Sequence, residues 1–228
     1  MKFGLVIPHR PGRESFRLWF EHMIGYQTVQ PDAVEVIDMP ASGPEPDIRA
    51  RIEEGVSRLK AARVERVYVW EDDDYYAPDY LERQEAAWGE GIVLQGVKRV
   101  FYYHLPTFSF GLLHVKNPAL FVTGFKVKFW NVRKRVIGAT EVNVDNRLWA
   151  IPMRQQKWRQ KTRKIDAPVV AVGMKHGIGL CGGKGHHPIK EAWMRYSSDS
   201  LDRSMLRALV KDDTMFSRYI DLGNKLRQ

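Results

Sequence analysis

The feature that most constrains the fold is the alternation of apolar runs and amphipathic stretches over residues 1–88. Short runs of β-branched and aromatic residues predict buried strands, and apolar residues spaced three or four apart predict helices. Because strands alternate with helices, we expect a parallel sheet with crossover helices, which is an α/β fold. The predicted strands are 2–8, 33–40 and 65–70, and the predicted helices are 15–26, 48–64 and a third that begins at about Pro78.

The remainder of the sequence has a different character. Residues 92–130 are rich in aromatic and β-branched residues and are interrupted by turns, which predicts short and largely antiparallel strands. A helix is predicted to begin at Asp145, a buried strand to cover 167–174, and two weak helices to follow Asp199. Because no internal repeat or linker stands out, we expect one domain over residues 1–228.

Cysteine use and hydropathy exclude several classes of protein. The one cysteine, Cys181, excludes a disulfide scaffold and a structural zinc site built from several thiolates. The apolar run Phe3–Pro8 is too short for the core of a signal peptide. No later stretch reaches the ~20 residues of a membrane span without a charge. We therefore expect a cytoplasmic protein.

The net charge of +9 is concentrated in one basic stretch, residues 126–164. This stretch contains twelve Lys or Arg and two acidic residues, so the rest of the chain is nearly neutral. A concentrated basic field attracts a polyanion, which is a nucleic acid, an anionic membrane face or a phosphorylated ligand. The alternative is a solvated basic face that has no partner.

Four consecutive carboxylates, Glu71 to Asp74, directly follow the predicted strand 65–70. The first members of this acidic run should be partly desolvated by the sheet, and like charges there are costly unless a cation neutralises them. Hard divalent cations with oxygen ligands, Mg²⁺ or Mn²⁺, suit such a group. The alternative is a solvated acidic loop.

Residues 71–78, which read EDDDYYAP after a strand, resemble the acidic motif of family 2 glycosyltransferases with the GT-A fold. The resemblance implies a single Rossmann-like domain with a mostly parallel central sheet and a smaller antiparallel sheet on the acceptor side. It also implies that Glu71 and Asp73 form the D-x-D pair, with Asp74 as the following acid. In that family the pair holds the metal, here Mn²⁺ or Mg²⁺, that bridges the two phosphates of a nucleotide sugar. The first position is Glu here and Asp in the usual motif.

Other positions resemble the donor half of that family. Residues 7–10 (IPHR) resemble its I-P-x-(Y/R) turn over the nucleoside, and residues 49–55 resemble its A-R-N-x-G stretch without the Asn. The resemblance implies a donor, most simply a UDP-sugar, held by residues 1–95 and an acceptor held by residues 96–228. The donor-binding candidates are Pro8, His9, Arg10, Arg13, Asp38, Arg51, Asp72, Lys175 and Lys184.

Sugar transfer with inversion needs a carboxylate that takes the proton of the acceptor hydroxyl. Residues 144–149 (VDNRLW) resemble the family's E-D-x-x-L element, with Val in place of Glu, which implies Asp145 as the catalytic base. The alternative role for Asp145 is a helix cap, for which Asp is a preferred residue. Asp166 and Asp199 are the other candidate bases.

The glycine-rich stretch 173–187 follows a predicted buried strand. Glycines let the backbone approach a diphosphate closely, and Lys175 or Lys184 can neutralise its charge. By the same family resemblance, His186 and His187 are candidates to complete the metal shell. The stretch lacks G-K-[ST] and is therefore not a P-loop.

The pattern G-M-K-H at 173–176, followed by Gly185 and His186, resembles the end of small phage-encoded GT-A enzymes that glycosylate hydroxymethylated pyrimidines in DNA. The resemblance implies a 5-hydroxymethylpyrimidine in DNA as the acceptor and, for a viral protein, action in the host cytoplasm. The basic stretch 126–164, in which Trp is interleaved with Lys and Arg, suits the binding of phosphates and exposed bases. The acceptor-binding candidates are Tyr75, Tyr76, Lys134, Arg135, Arg154, Lys157, Trp158, Arg159 and Lys161.

Two alternatives stay open at this point. The first keeps the same chemistry and changes the acceptor to a glycan, lipid or protein hydroxyl. The second is a non-catalytic nucleic-acid-binding protein on the same scaffold, for which the acidic run would be dispensable.

Overall fold

We describe the protein from a computed structural model. It describes residues 1–40, 47–114, 117–134, 137–138, 144–154, 161–166, 171–177 and 197–227. Of residues 113–114, 133 and 151–154 it describes the backbone alone.

The described part of the chain contains strands and helices with the following bounds. The strands are β1 (Phe3–Pro8), β2 (Ala33–Ile37), β3 (Arg66–Val69), β4 (Tyr75–Tyr76), β5 (Leu94–Val97), β6 (Arg99–His104), β7 (Ser109–His114), β8 (Thr123–Lys126), β9 (Thr162–Ile165), β10 (Ala171–Lys175) and β11 (Ser197–Ser198). The helices are α1 (Glu14–Gly25), α2 (Ile48–Ala61), α3 (Tyr80–Ala86), α4 (Val127–Arg133), α5 (Val144–Arg154), α6 (Ser204–Leu209) and α7 (Asp213–Leu226), with a 3-10 turn at Leu120–Val122.

The chain forms two compact units, and unit 1 comprises Met1–Asp72, Pro78–Lys98 and Val115–Asp166. Its six-stranded sheet has the order β2-β1-β3-β8-β5-β9. Strand β8 is antiparallel to its neighbours β3 and β5, and the other pairs are parallel. The carboxyl ends of β1, β2 and β3 therefore lie at the same edge of this sheet.

The packing of α2 on β1 shows why this part of the sequence folds as it does. Residues Phe3 to Ile7 of β1 are buried, and Ile52, Val56 and Leu59 form the buried face of α2. Gly55 lets the helix approach the strand, because a Cβ at this position would lie 2.6 Å from Cγ1 of Val6. The apolar periodicity of both segments thus produces one close helix–sheet contact.

Unit 2 comprises Asp73–Ala77, Arg99–His114 and Ala167–Gln228. Its five-stranded sheet has the order β11-β7-β6-β10-β4. Strands β6 and β10 are parallel and the other neighbours are antiparallel. Helix α7 belongs to this unit and buries Met215, Tyr219 and Gly223, which are spaced four residues apart on one face.

The α/β class predicted from the sequence is confirmed, with a mostly parallel main sheet and a smaller, largely antiparallel second sheet. Both sheets match the arrangement that the resemblance to the GT-A fold implies. One domain over residues 1–228 stays a prediction. No helix in the described ranges combines the length and the apolar character that crossing a membrane requires.

One local expectation is wrong. The chain from Val127 to Trp130, predicted as strand, is the start of helix α4, in which the ring of Trp130 stacks on Phe125 with centroids 5.4 Å apart. This buried packing outweighs the local strand preference of Val, Phe and Trp. The helix after the acidic run begins at Tyr80, within two residues of the predicted start, and Tyr75–Tyr76 before it form strand β4, which pairs with β10.

Candidate metal centre

The acidic run, Glu71–Asp74, leaves the sheet of unit 1 two residues after β3. Glu71, Asp73 and Asp74 each present a ligand atom, and these atoms lie within 4.8 Å of one another. Asp74 is fully buried and Asp73 is 9% exposed. Three carboxylates gathered this closely repel one another, the more so because Asp73 and Asp74 are buried, so the group suits a cation.

Asp73 is paired with a histidine of the same unit, unit 2. The Nε2 atom of His176 lies 2.6 Å from Oδ2 of Asp73, and the imidazole is buried. His176 is the first residue after β10, so the end of this strand positions it. The histidines expected to complete the metal shell, His186 and His187, lie outside the described residues. The sequence feature that could have identified His176 is its position directly after a predicted buried strand.

Asp74 is held by the backbone of β10. Its Oδ1 atom accepts a hydrogen bond of 2.7 Å from the backbone N–H of Met174. A buried carboxylate that accepts such a bond has a fixed orientation. Asp74 is therefore oriented by the strand that also carries His176.

Asp72 is paired differently from its neighbour Asp73. Within unit 1, its Oδ2 atom lies 2.7 Å from Nδ1 of His9, and its Oδ1 atom lies 2.7 Å from Nη2 of Arg13. His9 is itself buried and contacts the edge of the Phe20 ring. The two donor-binding candidates His9 and Arg13 thus contact a third candidate, Asp72, at the carboxyl end of β1.

Arg10 and Arg51 converge on Asp47. Arg10 contacts Oδ1 of Asp47 at 2.5 Å, and Arg51 contacts Oδ2 at 2.8 Å. Burial raises the pKa of Asp47, but hydrogen bonds from Arg51 and Arg10 outweigh it and hold that pKa below its usual value. Arg51 also donates to the carbonyl of His9 at 2.6 Å and to that of Ile37 at 2.9 Å. Arg51 therefore ties the carboxyl end of β2 to the residue that follows β1.

Two further donor candidates differ in their exposure. Asp38 follows β2, its side chain is 62% exposed, and its Oδ2 atom lies 3.8 Å from Nη1 of Arg17. Lys175 ends β10, is buried, and places its Nζ atom 4.8 Å from the centroid of the Tyr102 ring. A buried ammonium over an aromatic face is stabilised by the ring quadrupole. Pro8 is the last residue of β1, and Lys184 lies outside the described residues.

The three candidate bases have different surroundings. Asp145 is in the first turn of α5, is partly buried, and accepts from the backbone N–H of Asn146 at 2.7 Å. Asp166 follows β9 and is exposed. Asp199 accepts from the hydroxyl of Tyr103 at 2.7 Å and from the backbone N–H groups of residues 200, 205 and 206.

The hydrogen bonds of Asp199 also change its pKa. Burial raises the pKa of this carboxyl, but the bonds from Tyr103 and from the three backbone N–H groups outweigh burial and lower it. A carboxylate engaged in this way is a poor proton acceptor. Asp199 is therefore a less suitable base than Asp145.

The described acceptor-binding candidates differ in their burial and in the residues that they contact. Tyr75 and Tyr76 are buried in β4, and Lys134 contacts Oε1 of Glu53 at 2.7 Å. Lys161 is exposed, and Arg154 is the last residue of α5. The remaining candidates, Arg135, Lys157, Trp158 and Arg159, lie outside the described residues.

The donor set of the acidic run fits Mg²⁺ or Mn²⁺. Both ions are hard cations that prefer oxygen ligands. Glu71, Asp73 and Asp74 supply the oxygen atoms, and His176 contacts Asp73 through its Nε2 atom and so orients that carboxylate. The residues present are therefore able to hold a divalent cation.

No protein-family model matches the sequence, and no curated protein matches it significantly. Several solved structures are similar to it. A197 from STIV is 14% identical with a TM-score of 0.40, and the match covers 66% of this chain and 77% of that one. S. aureus TarS 1–349 in complex with UDP is 10% identical with a TM-score of 0.49, and the match covers 76% of this chain and 60% of that one. A second structure, of S. aureus TarS, is 11% identical with a TM-score of 0.45, and the match covers 77% of this chain and 37% of that one.

Proposed function

We propose that the protein is a metal-dependent glycosyltransferase that takes a sugar from a nucleotide-sugar donor. The observation that supports this most directly is the group of Glu71, Asp73 and Asp74 after β3, with His176 beside Asp73. In open α/β sheets, ligands bind beyond the carboxyl ends of the strands, which is where this group lies. The pattern EDDDYYAP and its place after a strand support the same function.

In this proposal Glu71, Asp73 and Asp74 hold Mn²⁺ or Mg²⁺, and His176 orients the carboxylate of Asp73. A bound cation would stabilise the negative charge of the departing diphosphate. The ammonium of Lys175 would add positive charge at the end of β10, next to His176. Because Lys175 is buried and held over Tyr102, its charge is oriented before a donor binds.

The reaction that we propose is an inverting displacement at the anomeric carbon. The acceptor hydroxyl oxygen forms a bond to that carbon while the bond from the carbon to the diphosphate oxygen breaks, and the electron pair leaves with the diphosphate. The hydroxyl proton passes to a carboxylate, for which we propose Asp145. Asp145 is preferred to Asp199, whose oxygens are already engaged by Tyr103 and backbone N–H groups.

We further propose a 5-hydroxymethylpyrimidine in DNA as the acceptor. The basic stretch 126–164 supports this choice, since Lys128 and Lys161 are exposed and able to contact phosphates. Lys134 is already paired with Glu53, so it contributes less free charge. A glycan, lipid or protein hydroxyl is the alternative acceptor, and non-catalytic binding of nucleic acid is the alternative function.

The donor site is tested by titrating Mn²⁺ with and without UDP, the nucleotide that the TarS structure contains. We expect Mn²⁺ to bind the protein and to strengthen UDP binding. Asp73→Ala should abolish the Mn²⁺ dependence, whereas Glu90→Ala, which removes an exposed carboxylate, should leave it unchanged. Binding of UDP that is indifferent to Mn²⁺ in the wild-type protein would contradict the metal role.

The acceptor is tested by incubating the protein with Mn²⁺, several UDP-sugars and either hydroxymethylated or plain DNA. The digested nucleosides are then weighed by mass spectrometry. A gain of one sugar mass on hydroxymethylpyrimidine alone supports the proposed acceptor. Release of UDP without any gain on DNA points to another acceptor, and binding of DNA without UDP release points to the non-catalytic alternative.

A further inference from the structure

The C-terminal helix contacts the backbone of the acidic run. The hydroxyl of Tyr219, on α7, donates to the carbonyl oxygen of Asp73 at 3.2 Å. Burial raises the pKa of Tyr219 well above its usual value, and the nearby charges of Asp74 and Asp73 raise it further. A buried hydroxyl that donates to a carbonyl in this way has its hydrogen-bonding requirement satisfied.

Helix α7 is seated so that Tyr219 must face the acidic run. The helix begins after Asp212, whose side chain caps it by accepting from the backbone N–H of Met215 at 2.8 Å. Met215, Tyr219 and Gly223 share its buried face. A Cβ at Gly223 would lie 2.7 Å from two ring carbons of Phe108, so only glycine allows the helix this close to the ring.

A second tyrosine, next to the acidic run, contacts the chain just before α7, and here the tyrosine hydroxyl is the acceptor of the hydrogen bond. Tyr75 directly follows Asp74, and its hydroxyl accepts from the backbone N–H of Lys211 at 3.1 Å. Lys211 lies two residues before α7. Contacts on both sides of Asp74 thus connect this part of the chain to the start and the middle of the C-terminal helix.

The hydrogen bond from Tyr219 acts on a different part of the run from the bonds that hold the two carboxylates. His176 contacts the side chain of Asp73, and the backbone of Met174 contacts the side chain of Asp74. Tyr219 contacts the carbonyl of Asp73, which belongs to the planar peptide unit between Asp73 and Asp74. Fixing this plane sets the direction of one carboxylate relative to the other.

We propose that Tyr219 is a positioning residue for the divalent cation, acting through the Asp73–Asp74 peptide. The inference rests on the metal role of Asp73 and Asp74 in the proposed function. It makes α7 a part of the metal centre through its contact with the peptide that carries two of the ligands. Losing the hydroxyl frees the peptide plane to rotate, and ligands that are no longer oriented bind the cation less tightly.

The test compares two tyrosines that make the same kind of bond. Tyr219→Phe removes the hydroxyl that contacts Asp73. Tyr80→Phe is the matched control, because Tyr80 is equally buried and its hydroxyl donates to the carbonyl of Phe121 at 3.3 Å in unit 1. Each protein is titrated with Mn²⁺ alone, and the free ion is followed by its electron paramagnetic resonance signal.

We expect Tyr219→Phe to raise the Kd for Mn²⁺ about fivefold, which corresponds to one typical net hydrogen bond. Tyr80→Phe should leave that Kd unchanged. Both variants should lower the thermal unfolding temperature by similar amounts, because each loses one buried hydrogen bond. An unchanged Kd in Tyr219→Phe, or an equal rise in both variants, would overturn the inference. If the wild-type protein binds no Mn²⁺, the proposed function itself is wrong, which is a distinguishable outcome.

A second variant covers the case in which Tyr219→Phe does not fold. Tyr75→Phe removes the acceptor for the backbone N–H of Lys211 and leaves Tyr219 in place. We expect it to raise the Kd for Mn²⁺ as well, because it loosens the other link to the C-terminal helix. A folded Tyr75→Phe protein with wild-type affinity for Mn²⁺ would then refute the role of α7.

Discussion

The Nε2 atom of His176 lies 2.6 Å from Oδ2 of Asp73, and both side chains are largely buried. This contact joins the acidic run to the end of β10. It gives a fixed direction to Asp73, one of the three carboxylates whose ligand atoms lie within 4.8 Å of one another. The following predictions concern this contact and the surrounding groups.

His176→Ala should weaken Mn²⁺ binding about 10- to 100-fold, which is the effect of losing a group that orients or completes a metal shell. The Kd is measured by titrating the free Mn²⁺ signal. His22→Ala is the control, because this partly exposed imidazole stacks on Tyr26 on the surface of α1. Unchanged affinity in His176→Ala would assign the metal histidine to another position, such as His186 or His187.

Asp72→Ala should lower stability more than metal binding. Its carboxylate is 2% exposed and contacts His9 and Arg13, so its removal takes an ion-pair partner from the buried His9 and from the partly buried Arg13. We expect the free energy of unfolding to fall by about 3–5 kcal/mol, measured by urea denaturation. Mn²⁺ binding should weaken far less than in Asp73→Ala. A stable Asp72→Ala protein that no longer binds Mn²⁺ would show that Asp72 is itself a ligand.

Gly223→Ala should destabilise the protein by about 1–3 kcal/mol, the usual cost of forcing extra volume into a packed site. The added methyl group would collide with the Phe108 ring and would lie 3.1 Å from the carbonyl oxygen of Leu105. Ser217→Ala, an exposed change on the same helix, should stay within about 0.5 kcal/mol of the wild type. Equal stabilities of the two variants in urea denaturation would contradict the close seating of α7.

The ion pairs of Asp47 should make the protein sensitive to acid. Its pKa is lower in the folded protein than the usual 3.8, because the bonds from Arg51 and Arg10 outweigh the effect of burial. Below pH 3.8 the unfolded chain binds a proton at this position that the folded protein does not, so stability rises with pH there. The contribution is present above pH 3.8 and is lost as the pH falls through the folded pKa.

Asp47→Asn tests this pH dependence. The free energy of unfolding, measured from about pH 6 down to about pH 2, should fall less steeply in the variant than in the wild type. Glu54→Gln is the control, because Glu54 is an exposed carboxylate on α2 that contacts Arg58 on the same helix. Parallel curves for the wild type and Asp47→Asn would show that Asp47 does not titrate differently on folding.

Local pattern was sufficient to predict most of the first 88 residues. Strand β1 and the buried faces of α1 and α2 follow from apolar periodicity, because burial of a helix or strand face leaves a repeat in the sequence itself. The acidic run was recognisable for the same reason, since its four carboxylates are consecutive. Helix α4 was missed, because the stacking of Trp130 on Phe125 depends on how the chain folds around it.

The sequence by itself determined the α/β class, the order of the early elements and the identity of the acidic residues, since each of these depends on neighbouring positions. Only the tertiary structure decided their partners: Asp72 with His9, 63 positions away, Asp73 with His176, 103 away, and Asp73 with Tyr219, 146 away. Contacts at such separations depend on the path of the whole chain, and no local periodicity records that path.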